Sequence, residues 1–141
     1  MIKFFFILSL IYLVSCKNEV TVNSCFQNSI QPITVSLNSP QLNGLLTPNG
    51  TAEINGGISG IVLFNRGSQG SFSSYVALDR KCPNSDCAEP MILNPPILEC
   101  PCDKNRYNML NGSLISGQNN CEGGARLYTV TQSGSTLQIS N

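Results

Sequence analysis

The sequence predicts an all-β domain of short antiparallel strands, and three observations predict it. Apolar and polar residues alternate in short runs, as with Ile33, Val35 and Leu37 against Thr34 and Ser36. Twelve Gly, eight Pro and many Ser, Thr and Asn supply turns between the runs. No segment carries the roughly 3.6-residue apolar period of an amphipathic helix, and no unit of roughly 20–50 residues repeats.

Taken in order, the first clear strand is Ile33 to Leu37. Ser39-Pro40 then suits the start of a short helical turn carrying Leu42, Leu45 and Leu46, because Pro is pre-set for a first helical position. Pro48-Asn49-Gly50 is a turn. Ala52 to Ile54 and Gly60 to Phe64 read as strands separated by Asn55-Gly56-Gly57. Tyr75 to Leu78 is the next strand, after a Gly/Ser-rich hairpin at Gly67 to Ser71. The stretch from Cys82 to Cys102 shows almost no periodicity and reads as two loops. Tyr107 to Leu110 and Ser113 to Ile115 flank Asn111-Gly112, the strongest two-residue hairpin signal. Arg126 to Thr131 and Thr136 to Ile139 close the chain as a hairpin around Ser133-Gly134. The expected arrangement is sheets or a barrel.

Composition removes several classes of function. The 141 residues suffice for one domain, and 41% hydrophobic against 11% charged residues is the balance of a folded chain. Eight basic and eight acidic residues cancel, which argues against the basic face of a nucleic-acid binder. His is absent, so Ser-His-Asp and Cys-His catalysis and every imidazole metal ligand are excluded. The acids around the cysteines are Asp79, Asp86, Glu89, Glu99 and Asp103. Nothing pairs two of them across a cleft, and they are expected to be solvated or salt-bridged with Arg80, Lys81 or Lys104. Gly56-Gly57-Ile58-Ser59-Gly60 precedes a strand rather than a long helix, so it reads as a turn or bulge and not a phosphate cradle. Asn49-Gly50-Thr51 and Asn111-Gly112-Ser113 fit the glycosylation sequon but are read as turns.

The first residues read as an address. Met1-Ile2-Lys3 is a short positive region, and Phe4 to Leu13 is an apolar run. That run is too short to cross about 30 Å of hydrocarbon as a helix and suits a signal-peptide core. Leu13-Val14-Ser15-Cys16 resembles the bacterial lipobox, whose Cys is diacylated and becomes the first residue after cleavage. The resemblance implies a lipoprotein signal over 1–15, lipidation at Cys16, a tether over 16–24 and a folded domain over 25–141. The expected location is the bacterial cell envelope, with the membrane a partner through the lipid anchor. Lys17-Asn18-Glu19 weakly resembles the charged signals that send some Bacteroidota lipoproteins to the outer surface, and a solvated tether reads equally well.

Seven cysteines occur, at 16, 25, 82, 87, 100, 102 and 121. With Cys16 lipidated, six remain outside the cytoplasm, enough for three disulfides and, by counting, about fifteen connectivities. Cys100 and Cys102 are too close in sequence to pair comfortably, so they reach elsewhere, with Cys82 and Cys87 the nearest candidates.

Cys82-Pro83-Asn84-Ser85-Asp86-Cys87 and Cys100-Pro101-Cys102-Asp103-Lys104-Asn105 together resemble the two cluster-binding boxes of Rieske [2Fe–2S] proteins. In that family the first Cys and the His of each box bind iron, and the remaining Cys of each box form a disulfide between the loops. The resemblance implies that Cys82 and Cys100 occupy thiolate-ligand positions and that Cys87 pairs with Cys102. It extends downstream through Arg106-Tyr107-Asn108, the segment Leu110 to Gly117 and the closing hairpin, and upstream to Gly60–Phe64 and Tyr75–Arg80. The implied fold is Rieske-like, with short antiparallel strands in stacked sheets and two Cys-rich loops.

The departure from that pattern is chemical. Asn84 and Asp103 stand at the two His positions. A Rieske iron needs imidazoles, which also raise its potential; an amide is a poor iron ligand and a carboxylate would lower the potential. The family's Pro-containing shielding loop is missing, since Gly117 is followed by Gln118-Asn119-Asn120-Cys121. The expectation is therefore no cofactor. Cys82 then pairs with Cys100, and Cys25 and Cys121 are left as a third pair. The reading is a non-enzymatic binding or accessory module whose protein partner or ligand the sequence does not name. The alternatives are an electron-transfer protein holding [2Fe–2S] through non-His ligands, and a thiol–disulfide module in which Cys82–Cys100 cycles.

Overall fold

A computed structural model describes residues 25–26, 28–68, 73–118 and 121–141. The expected signal segment and tether, with Cys16, and the tip of the Gly67–Ser71 hairpin lie outside the described residues. Among the described residues the order is β1 (Ile33–Ser36), a 3₁₀ helix (Pro40–Leu46), β2 (Thr51–Ile54), β3 (Ile61–Asn65), β4 (Tyr75–Asp79) and β5 (Ile92–Asn94). Then come β6 (Ile97–Glu99), β7 (Arg106–Asn108), β8 (Leu114–Ser116), β9 (Leu127–Ser133) and β10 (Thr136–Ser140). These make two antiparallel sheets, a six-stranded one ordered β1-β10-β9-β4-β3-β2 and a four-stranded one ordered β5-β6-β7-β8. The fold is all-β, as the alternation and turn residues predict.

Two cores sit on opposite faces of β3 and β4. All five residues of β3 are buried, which is why Ile61 to Phe64 is a continuous apolar run instead of an alternating one, and the buried Asn65 that ends it donates Nδ2 to the Leu45 carbonyl at 2.7 Å. Val62 and Phe64 point with Val76 and Leu78 of β4 into the core under the small sheet, beside Leu98, Tyr107, Met109, Cys82, Cys87 and Cys100. Ile61, Leu63 and Ala77 point the other way, toward Leu42 and Leu45 of the 3₁₀ helix and Tyr128, Leu137 and Ile139. A fully buried Leu or Phe side chain contributes about 1.5–3 kcal/mol of transfer free energy. The β3 side chains therefore outweigh surface ion pairs such as Lys104–Glu99, 3.9 Å apart, which contribute about 0–1 kcal/mol. Pro40 opens the helix after an extended Ser39 whose hydroxyl makes no capping bond, and Leu46 stays 60% exposed.

The small sheet is an excursion between two adjacent strands. Ala77 and Leu78 of β4 pair directly with Tyr128 and Leu127 of β9, and the intervening residues build β5 to β8. Antiparallel pairing then brings three connections to one end of that sheet. Ile92 lies opposite Glu99, Glu99 opposite Arg106, and Arg106 opposite Ser116. The segments before Ile92, between Glu99 and Arg106, and after Ser116 consequently meet.

Two expectations are corrected here. The Cys82–Cys102 stretch contains strands as well as loops: Ile92–Asn94 and Ile97–Glu99 form a hairpin about a cis Pro95-Pro96 peptide. The proline pair hid it, because Pro usually marks loop or edge. Asn111-Gly112 is not a two-residue hairpin turn. The connection from Asn108 to Leu114 is longer, since Met109 is drawn into the core and its N–H donates to the Pro96 carbonyl at 2.9 Å. Gly112 has φ +70° and accepts a 2.8 Å bond from the Ala125 N–H, a close approach that a side chain would obstruct.

Candidate functional site

The meeting point of the three connections is the candidate site. The first, after β4, carries Cys82, Asn84 and Cys87; the second, between β6 and β7, carries Cys100, Cys102 and Asp103. Disulfides join Cys82 to Cys100 and Cys87 to Cys102, with Cα separations of 5.5 and 5.9 Å, so both cross between the same two loops. A third joins Cys25 to Cys121 across 96 residues of sequence, with Cα atoms 5.8 Å apart. These are the pairs that the resemblance and the count of cysteines led us to expect. Three disulfides are the mark of an extracytoplasmic protein. Among the described residues, no helix is long and apolar enough to cross a membrane.

The sulfurs are packed closely. Cys82, Cys87 and Cys100 are fully buried and their Sγ atoms all lie within 4.8 Å of one another. Cys102 is exposed. Lys81 donates its ammonium to the Cys87 carbonyl.

Asn84 and Asp103 come together across the loops. The Asn84 side-chain amide donates to Asp103 Oδ2 at 3.1 Å, and Asn84 Oδ1 accepts from the Asp86 N–H at 3.0 Å. Asp103 Oδ1 accepts from the Asn105 N–H at 3.0 Å, and Oδ2 from Asn105 Nδ2 at 3.1 Å. Both local bonds are the turn-forming kind that Asn and Asp make with a backbone two residues on. Lys104 adopts φ +63° between them, and its N–H returns to the Cys100 carbonyl at 3.0 Å.

No protein-family model matches the chain, and no curated protein is found to be similar to it.

Sequence reasoning missed Asn105, which ties in the third connection. It is buried, donates Nδ2 to the Gln118 carbonyl at 2.8 Å and accepts the Gln118 N–H at 3.0 Å. Gly117 has φ +107°, and a Cβ there would strike the Asn105 side chain. The signal for this was the Ser116-Gly117 pair after an alternating strand, but its partner is invisible in one dimension. Beneath lies Tyr107, whose hydroxyl pKa is raised by burial, lowered in part by its hydrogen bond with Asn105 and raised again by the Asp103 charge.

Asp79 is also corrected, because it is neither solvated nor salt-bridged. It is fully buried, and its carboxylate accepts from the N–H of Ile58 at 2.5 Å, Ser59 at 3.1 Å and Lys81 at 2.7 Å, and from the Tyr128 hydroxyl at 2.6 Å. The Gly56–Gly60 turn thus forms an anion nest whose anion is the protein's own carboxylate. This agrees with reading the turn as no phosphate cradle. The depression beside it, about 580 Å³, is lined by Gln41, Glu53, Ser59 and Arg80 among others. Arg80 is paired with Glu53 and with the Met91 carbonyl. Of the other acids, Glu99 lies 3.9 Å from both Lys104 and Arg106.

Proposed function

We propose that this chain is a lipid-anchored protein of the bacterial cell envelope, attached through Cys16. Its domain over 25–141 is a Rieske-like fold without a cluster, acting as a non-enzymatic binding or accessory module. The observation that carries this reading is the donor set. Where the resemblance puts two thiolates, Cys82 and Cys100 are bonded to each other. Where it puts two imidazoles, Asn84 donates to Asp103. These residues do not fit a Rieske [2Fe–2S] cluster, which needs two free thiolates and two imidazoles. The Rieske likeness is supported by β4 leading into the first box, the second box lying between β6 and β7, Tyr107 on the strand that follows, and the β9–β10 hairpin.

A second reading, electron transfer through a cluster with non-His ligands, is favoured by the three buried sulfurs within 4.8 Å of one another. One preparation from the native membrane separates the two. Iron, acid-labile sulfide and free thiol per chain are measured with the visible spectrum, and the N-terminus is analysed by mass spectrometry. The expected result is a diacylglyceryl-Cys16 N-terminus, no stoichiometric iron or sulfide and no free thiol. Stoichiometric iron and sulfide give the second reading. Cleavage elsewhere, with an unmodified Cys16, overturns the anchor.

A further inference from the structure

Four of the paired cysteines meet at one end of the small sheet, and they are unequally accessible. Cys82, Cys87 and Cys100 are buried, whereas Cys102 is exposed. Cys100 Sγ lies 3.8 Å from Cys87 Sγ, a sulfur of the other disulfide. That is van der Waals contact between two disulfides that bridge the same loops. The Lys81 ammonium held by the Cys87 carbonyl sets a positive charge beside that residue.

We propose that the two disulfides form a thiol-exchange relay with one point of attack, Cys102, through which an external monothiol shifts the buried pairing from Cys82–Cys100 to Cys87–Cys100. In the first step the monothiol, as thiolate, attacks Cys102 Sγ. The Cys87–Cys102 bond breaks, a mixed disulfide forms on Cys102, and Cys87 leaves with the electron pair as a thiolate. Burial keeps the attacking thiol from Cys87 itself, and the Lys81 charge favours Cys87 as the leaving sulfur. In the second step the Cys87 thiolate attacks Cys100 Sγ. The Cys82–Cys100 bond breaks, a Cys87–Cys100 bond forms, and Cys82 takes the electron pair and then a proton. Each step exchanges one disulfide for another, so no net oxidation or reduction occurs and no further reagent is needed.

The consequence is a thiol-capture site that does not open the fold. After Cys102 is modified, Cys87–Cys100 still joins the two loops over the core of Leu98, Tyr107 and Met109. The inference rests on the sulfur geometry and not on the absence of a cluster.

The test uses the oxidised chain and reduced glutathione as the probe monothiol. The reaction is quenched with acid, because exchange requires thiolate. Free thiols are then blocked with N-ethylmaleimide under denaturing acidic conditions, and the modified residues are located by fragment mass spectrometry. The expected products carry glutathione on Cys102 and maleimide on Cys82. Glutathione on a buried cysteine, maleimide on Cys87 alone, or no reaction overturns the relay. Cys102→Ser, made in the lipid-anchored chain so that Cys16 carries no thiol, isolates the second step by leaving Cys87 as the free thiol. There maleimide is expected on Cys82, with or without Cys87, and label confined to Cys87 overturns the second step. Should Cys102→Ser fail to fold, the wild-type reaction decides.

Discussion

The side-chain amide of Asn84 donates to the carboxylate of Asp103 at 3.1 Å, directly across the two cysteine loops. Asp103 gathers two more donors from Asn105, which in turn holds the Gln118 backbone. One carboxylate therefore organises the first two connections and, through Asn105, the third. Hydrogen bonds to a charged acceptor contribute about 1.5–3 kcal/mol, against about 1 kcal/mol for neutral pairs. The disulfides fix the distance between the loops, and this network fixes their orientation.

Asp103→Ala is accordingly expected to lower stability by about 2 kcal/mol, a value held down because Asp103 is only half-buried and water replaces part of the loss. Asp103→Asn should cost less, since an amide oxygen still accepts. Urea denaturation of the oxidised proteins measures both. Equal losses for the two variants would show that a neutral acceptor oxygen does not replace the carboxylate, and no loss in either would remove Asp103 from the network's energetics.

Much of the fold was legible because burial on one face imposes period two, and β1, β2, β9 and β10 carry it near their expected bounds, while β3 and β4, buried on both faces, show as short apolar runs. Strands β5 and β6 were not, because three residues are too few to display a period and the intervening prolines signalled a loop. The cysteine positions were legible through the boxes. The Asn84–Asp103 contact was not, since Asn and Asp are ordinary loop formers and the two are 19 residues apart. Asp79 was misplaced for a similar reason. Its donors come from a turn about 20 residues away and from Tyr128, 49 residues away, and neither separation carries a local signal.

Asp79→Ala should be among the most damaging single changes. It strips the acceptor from three backbone N–H groups and a buried hydroxyl at once. Each orphaned buried donor costs about 1–3 kcal/mol, and some regain water at the depression beside the turn. A net loss of about 3 kcal/mol or more is expected in equilibrium denaturation. A loss below about 1 kcal/mol would mean that the turn folds without its internal anion.

Alkaline pH should weaken the fold through its buried tyrosines. Burial raises the Tyr128 pKa, with the hydrogen bond to Asp79 and the Asp79 charge adding to it, and Tyr107 is raised as well. The unfolded chain releases these protons near the ordinary value of 10.0, while the folded chain keeps them. The contribution to stability is fully present below that pH and is lost as pH rises from there through the folded values. Tyr128→Phe should be less stable at neutral pH by about 1–2 kcal/mol, because Asp79 loses a donor. It should also show a shallower decline between about pH 9 and pH 11. Parallel declines in wild type and variant would remove Tyr128 from the account.

The last expectation concerns the two positions where the proposed likeness to Rieske proteins breaks. Asn84→His with Asp103→His restores both imidazoles, yet the isolated oxidised variant is not expected to hold a [2Fe–2S] centre. The Cys82 and Cys100 sulfurs are bonded to each other, and iron needs them as thiolates. Reduction frees them, and the short Cα separation of 5.5 Å keeps both at one place between the loops. With iron and sulfide under reducing conditions, the double variant is therefore the form expected to gain the visible absorption of a cluster. The wild type should stay colourless under the same treatment, because Asn84 and Asp103 offer each other a hydrogen bond and offer iron no neutral imidazole. Absorbance, iron and acid-labile sulfide measured on both proteins decide the matter. A wild-type sample that turns reddish-brown would show that Asp103 or a third sulfur replaces histidine, and electron transfer would then become the leading function.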